Sequence, residues 1–507
     1  MTSLLLTCGL QAQLSGTYLI NPLIPTGGNT FSSFADATAE LLAQGVAGPC
    51  EFLVFDDGGP YTESSPMGTG VTYGTNDAVL VMASWTGSSA ANRVTFRPAP
   101  GERPVIDATG RAMGVFWGGA DYVTLQGFEV RNATYDGISL FAETANGVAN
   151  DPIIDSCRVH DCGSAGITIY GNSPNPTNTL VQNCTLWSCQ TNNSGAFTTT
   201  SRFGYITTRR TINTRIVHNT FFVDTASGQD FCVIGSRTSS AGEMPYAEIS
   251  NNVIFKTAGA GRPIFRFHTP ATSSFPIPPI CNGNCFFDAT TSPFAEYGDA
   301  AATVAATFAG WQQTGADATS QVADPQFRDL NTDDFHLQGT SPCRDAATVV
   351  AGVAADADGQ PRVAPADLGA DEFSAGDYTL VGAGCPGVGG AITSIDLWSW
   401  PFLGNPQLTI GFENAPANAI VGLFGSLGLS PVPLTIGGGC DAYLDPGSLV
   451  VLAGSLTSSV GETSVFFPVP ANASFAGFNL AYQGLVLDAT TTLGFTVTNA
   501  IDVTFDF

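Results

Sequence analysis

Two neighbouring stretches, DYVTLQGFEVRNATYDGISLF over 121–141 and DPIIDSCRVHDCGSAGITIY over 151–170, are the same pattern written twice. Each has a β-rich run, a small or polar break, a second short run, a polar turn, and a Gly-Ile-polar-aliphatic close. The first breaks at Gly127 and restarts with Phe128 and Val130; the second breaks at Ser156 and restarts with Cys157 and Val159. Gly137-Ile138-Ser139-Leu140 then matches Gly166-Ile167-Thr168-Ile169. Further on, LVQNCTL (180–186) breaks at Asn183, RIVHNTFF (215–222) at Asn219 and EISNNVIF (248–255) at Asn251, with a weaker echo, CNGNCFF, around Gly283. The successive spacings are 29, 27, 36 and 32 residues. A period of this size with elastic insertions is that of stacked units whose loops vary.

Alternation places Leu125, Phe128, Val130, Ile138 and Leu140 on one side and Glu129, Arg131 and Ser139 on the other, a period of two that belongs to strands. One unit buries about five such side chains at ~1.5–3 kcal/mol each. Ordering its backbone costs ~1–2 kcal/mol per residue. No unit can stand alone, so the units must stack.

This repeat resembles the right-handed parallel β-helix proteins of the pectin-lyase-like superfamily, in which asparagines of successive coils form a ladder at a turn between two sheets. The resemblance implies that Asn183, Asn219 and Asn251 occupy that ladder, with Gly127 and Ser156 as its incomplete end. It implies an all-β solenoid over about 46–375, but no single chemistry, because the fold carries lyases, hydrolases, adhesins and inert scaffolds alike. Asn331-Thr332-Asp333 superficially resembles a polygalacturonase motif. The paired Asp, Gly-His-Gly and Arg-x-Lys of that family are missing, and the only lysine is Lys256.

Of 507 residues only 12% are charged, with 17 Lys+Arg against 43 Asp+Glu and a net charge of −26. That balance argues against nucleic-acid binding and against adhesion to anionic membranes. A 44% hydrophobic content argues against disorder. No run of about 18 apolar residues is present to span a membrane. Residues 1–13 read as the remnant of a signal peptide, with Leu4–Leu6 as its apolar core and Ala12 as its small residue, so an extracellular or cell-surface monomer is expected. Asn29 to Gln44 reads as a helix with Phe31, Phe34, Ala35, Thr38, Leu41 and Leu42 on one face. Asn29 or Thr30 would cap its start and Gly45 its end, forming a lid on the first coil. Early coils follow at 51–55, 78–83, 93–98 and 104–107.

Residues 324–373 resemble the segment that closes many secreted bacterial β-helix proteins. Asp356 and Asp358 there look like part of a calcium loop, so calcium is a possible cofactor, and no other is expected. The structural alternative pairs Arg362 with Asp367, Asp371 or Glu372 to tie down the final coil. From 377 the repeat stops. Alternating runs between Gly, Pro and Asn turns read as a β-sandwich over 377–507, after a β-helix domain over 14–376. Its only cysteines, Cys385 and Cys440, are expected to be bridged. Cys157 with Cys184, and Cys162 with Cys189, fall at equivalent places in consecutive coils, where either a disulfide or stacked free thiols would fit.

One region breaks the acidic background. Between 201 and 270, eight cations face four acids, a net +4. An acidic or sulfated glycan is the partner such an island suits, because arginine binds carboxylates bidentately. Arg237, Arg266, His268 and Asp230 are the candidate catalytic residues for removing a proton beside a uronate carboxyl. That step needs a base and a cation to hold the enolate. Tyr170, Trp187, Arg202 and Arg262 are the candidate substrate contacts, though each arginine can equally pair with neighbouring carboxylates and each ring can pack under a loop. Two functions follow: a secreted glycan-binding or scaffold rod, and, as the alternative, a polysaccharide lyase or hydrolase with a groove along the rod.

Overall fold

The computed structural model describes residues 13–67, 77–143, 147–191, 204–225, 231–238, 245–269, 280–299, 303–348, 350–387 and 390–507. Residues 1–12, and with them nearly all of the expected leader, lie outside this range. Three long sheets, of ten, eight and ten strands, are visited by the chain in rotation. One coil contributes Ile153–Asp155 to the first, Arg158–His160 to the second and Ile167–Asn172 to the third. Each strand pairs in parallel with its counterpart one coil earlier: Ile154 with Leu125, Val159 with Val130, Ile169 with Leu140. The five residues that alternation turned inward (Leu125, Phe128, Val130, Ile138, Leu140) are fully buried in one continuous core.

The turn between the first two sheets is where the backbone decides the sequence. Gly127, Ser156, Asn183, His218, Asn251 and Gly283 all have φ between 52° and 74°, the left-handed region that Gly and Asn adopt most readily. The strand registers put them in one column. The asparagine ladder expected at Asn183, Asn219 and Asn251 is therefore corrected by one place. The left-handed residue of the fourth coil is His218, and Asn219 points inward beside it. The ladder is Asn219, Asn252 and Asn284, all fully buried. Asn219 N–H donates to Asn252 Oδ1 at 3.0 Å, and Asn252 N–H to Asn284 Oδ1 at 3.0 Å. The side-chain amides meanwhile bond carbonyls of the coil before, as Asn252 Nδ2 does to Ile216 O at 2.9 Å. Earlier coils fill the same inward place with Phe128, Cys157 and Cys184. Cys157, Cys184, Cys162 and Cys189 are free thiols, which settles the earlier alternative in favour of stacking.

Helix α1 (Phe34–Gln44) covers the first coil as expected, with Gly45 at its end at φ 66°. Its cap is Ser33, not Asn29 or Thr30, because Thr30–Phe31 is already paired as a strand against Leu14–Ile20. The far end is closed by helix α2 (Phe308–Gln312), which the sequence reading missed. Its Trp311 is fully buried, and its Nε1 donates to Asp317 Oδ2 at 2.5 Å.

The closing segment does not form a last coil. It runs back along the rod as a strap over the outside of the second sheet, where Phe327, Phe335, Leu337 and Leu368 pack on Trp187, Val253 and Phe255. It also reads the left-handed column from outside: Asn251 Nδ2 donates to Thr348 O at 2.7 Å, and Asn183 Nδ2 to Ala355 O at 3.0 Å. Arg362 pairs with Glu372, as anticipated, and donates to Asn183 Oδ1 at 3.1 Å.

From Asp377 the chain forms a five-stranded and a three-stranded antiparallel sheet around a second core that includes Ile395, Phe412, Leu423, Tyr482 and Ile501. Cys385 and Cys440 are bridged. This module has nine acids and no Lys, Arg or His, so every cation at its junction with the rod comes from the rod. Arg328 pairs with Asp377, and His336 stacks on Trp400 with ring centres 3.9 Å apart.

Candidate functional site

The strap packs on the second sheet, and the third sheet has an outer face of its own. Because parallel register repeats every coil, each position on that face becomes a row along the rod at ~4.8 Å spacing. One row reads Phe141, Tyr170, Arg209, Arg237, His268 and then Gly298. Phe141 and Tyr170 stack at 4.7 Å and 14°, and the Arg209 guanidinium sits 5.1 Å from the Tyr170 ring centre. Burial, with the like charge of Arg209 added, lowers the pKa of Arg237, while Tyr170 opposes this. Arg210 Nη1 donates to Asn172 Oδ1 at 3.1 Å beside the row. Tyr170, Arg237 and His268, chosen from the sequence, thus share one surface. Arg209, one of the eight cations of the basic island, was not among the expected site residues, although Ile206-Thr207-Thr208-Arg209 aligns with Ile167-Thr168-Ile169-Tyr170.

Two other candidates move. Arg266, expected to be outward and available, is only 4% exposed. Its row is Ser139, Thr168, Thr207, Gly235, Arg266 and Glu296, and its Nε and Nη2 both meet Glu296 Oε2 at 2.7 Å. The strand faces the way the alternation said, but the charge is matched by the next coil. Trp187, expected to stack on sugar, is 3% exposed. It is pressed between His160, at 4.1 Å and 9°, and Phe335 of the strap, which leaves no face for a ligand. Arg262 lies in the turn before Phe265–Thr269, outside the row. Asp230 and Arg202 lie outside the described residues.

Asp356 and Asp358, the calcium candidates, both have partners within the protein. Asp356 accepts the N–H groups of Asp358, Gln360 and Glu372, and burial pushes its pKa well up. Asp358 Oδ2 meets His336 Nε2 at 2.9 Å, and His336 Nδ1 meets Asp334 Oδ1 at 2.5 Å. Burial opposes charge on this imidazole, yet the carboxylates of Asp371, Asp358 and Asp334 outweigh it and hold its pKa well above the usual value. His336, Asp358 and Asp371 bring one ring nitrogen and two carboxylates within 4.8 Å of one another, a set that either an internal ion cluster or a metal ion could use. Among the described residues no helix is long and apolar enough to cross a membrane.

Residues 107–221 match a family model described as the right handed beta helix region. No curated protein matches the chain. Among solved structures it is similar to pectate lyase Pel9A (TM-score 0.39, 15% identity, 72% of this chain and 98% of that one). It is also similar to the enzymatically active domain of bacteriophage CBA120 tailspike protein 2 (TM-score 0.23, 11% identity, 89% of this chain and 64% of that one). By its coil topology and the match over 107–221, the rod is a right-handed parallel β-helix, and it carries a C-terminal antiparallel module.

Proposed function

We propose that the protein is an extracellular glycan-binding rod that holds an acidic polysaccharide along the outer face of its third sheet. The observation that carries this reading is the row Tyr170, Arg209, Arg237, His268, one aromatic ring followed by three basic side chains in strict register. Three steps of ~4.8 Å span roughly 14 Å, so several residues of one extended chain can be met by evenly spaced donors. The disulfide of the C-terminal module suits an oxidising compartment. Binding is favoured over catalysis because Arg266, the cation that a lyase mechanism needed, is already neutralised by Glu296.

The test is titration with polygalacturonate and with a sulfated glycan. Binding should fall steeply as salt rises, because exposed charges are screened within ~8–10 Å at physiological ionic strength. Arg209→Ala and Arg237→Ala should each weaken it about tenfold with little change in melting temperature. Salt-independent binding, or binding untouched by both changes, would remove the row from the account. Accumulation of unsaturated uronate in the same tubes would replace the binding reading with the lyase alternative.

A further inference from the structure

The C-terminal module has an apolar face that no other described part of the chain covers. Two stretches of it, 427–440 and 446–460, contain no Asp, Glu, Lys, Arg or His, in a module that elsewhere carries nine acids. In the first, strand Leu429–Gly437 forms a hairpin with Cys440–Leu444. In the second, Val450–Leu456 is the last strand of the five-stranded sheet, paired with Ile420–Ser426 on one side only. Between hairpin and sheet lies an apolar groove of about 440 Å³, with Phe424 and Leu485 on the sheet side and Val432, Leu434 and Ile436 on the hairpin side. Val451 is paired with Phe424, so it carries the groove out to the sheet edge.

Large aliphatic side chains stand in water here. Val432, Leu434 and Ile436 are 75%, 64% and 37% exposed, and Val450, Val451 and Leu452 are 52%, 71% and 45% exposed. Together they expose roughly 600 Å², the upper end of the ~300–600 Å² found for the largest apolar patch of a typical monomer. The two strands offer different things. Pro431 and Pro433 remove two N–H groups from the hairpin strand, which therefore presents side chains. Val450–Leu456 has neither proline nor charge, the devices that stop an edge from pairing, and so presents its backbone. The opposite edge of the same sheet, Asp377–Val381, starts instead on a carboxylate held by Arg328.

We infer that this face joins two copies of the chain, each Val450–Leu456 pairing with its twin so that two five-stranded sheets become one of ten strands. Strands related by a two-fold axis across a sheet edge run antiparallel, as the strands of this sheet already do. A two-fold contact must also be self-complementary. This patch supplies both halves: an open edge with a groove behind it, and a ridge of exposed side chains beside it. Two modules that each carry nine acids and no base repel one another except across a face without charge. With the strand backbones and the rim added, the exposed area approaches the ~800 Å² per partner that a stable interface buries. The partner is therefore the protein itself, in place of the monomer expected from the sequence, and the contact is independent of the basic row on the rod.

Sedimentation equilibrium of the full chain over ~0.5–50 μM should show a species of twice 52.5 kDa forming as concentration rises. Val451→Lys should weaken association by about tenfold or more. Val451→Thr, which keeps a β-branched and uncharged edge, should retain most of it, and Arg237→Ala should leave it unchanged. In unaltered protein, hydrogen exchange across 450–456 should slow about tenfold between the lowest and highest concentrations, with 377–381 unchanged. That readout does not depend on any variant folding. A chain that stays monomeric to ~50 μM overturns the inference. So does a dimer that Val451→Lys leaves intact, or one that protects a different segment. A monomer whose 429–456 segment is protected by phosphatidylcholine vesicles instead would overturn it too, by giving the face to a lipid surface.

Discussion

Asn252→Ala removes the middle rung of the ladder. The Oδ1 of Asn252 accepts both the backbone N–H of Asn219, at 3.0 Å, and its Nδ2, at 3.1 Å. Its own Nδ2 donates to Ile216 O at 2.9 Å, Ser250 O at 3.0 Å and Asn284 Oδ1 at 3.0 Å. Asn219 Nδ2 keeps Val181 O and Val217 O, so the N–H of Asn219 is the group left stranded, at ~1–3 kcal/mol, and the carbonyls of Ile216 and Ser250 lose a donor. With the small cavity added, the change should cost about 3–5 kcal/mol. Cys184→Ala lies in the same column two coils earlier and strands no donor of that kind, so it should cost about 1 kcal/mol. Denaturant unfolding gives both numbers, and hydrogen exchange at the Asn219 amide reports on the stranded donor directly. If Asn252→Ala costs no more than Cys184→Ala and the Asn219 amide stays protected, the ladder is not what satisfies this turn.

Phe267 is fully buried, so Phe267→Ala should cost about 3–5 kcal/mol. Arg266→Ala should also destabilise, by roughly 2–4 kcal/mol, because it leaves Glu296 unmatched, whereas Arg266→Met with Glu296→Met should be close to neutral by thermal melting. His218 accepts from Asn251 Nδ2 at 2.9 Å, and burial, helped by the charge of Arg362, lowers its pKa to about 3. Its folded pKa is depressed, so its contribution is complete above the unfolded value of about 6.5 and is lost as pH falls towards 3, by as much as about 5 kcal/mol. His218→Asn should flatten that part of the stability–pH curve, and an unchanged slope would exclude this imidazole as its cause. Cys440→Ser should cost the C-terminal module roughly 4 kcal/mol while the melting of the rod stays put, which scanning calorimetry can separate.

The rod was legible because its signal is redundant: five inward side chains per coil and a repeated break state the same period. The ladder was misread by one residue because asparagine was matched to asparagine. The backbone selects for the left-handed conformation instead, and His218 meets it at φ 53°. The row of basic groups was half legible. Tyr170, Arg237 and His268 could be turned outward by alternation, but parallel register with Arg209 depends on knowing where each insertion falls. Arg266 and Trp187 failed for one reason: alternation says which way a side chain points, not what lies there. Glu296 of the next coil and Phe335 of the strap arrive from 30 and 148 residues away.

The ladder also gives the rod an arrow. From Cys184 onward the backbone N–H at each inward place is answered by the coil that follows it: Cys184 by Asn219, Asn219 by Asn252, Asn252 by Asn284. The last, Asn284 N–H, is answered by Ser320 Oγ at 2.8 Å, and its Nδ2 by Asp317 at 3.1 Å, both just beyond α2. A chain emerging from the ribosome therefore always carries one rung waiting for residues not yet made. Growth can stop without a stranded donor only once Asp317 and Ser320 are in place. Whole coils can be lost or gained between rungs in evolution, since each new asparagine answers the last, but the segment 308–320 has to remain at the end of whatever length is chosen.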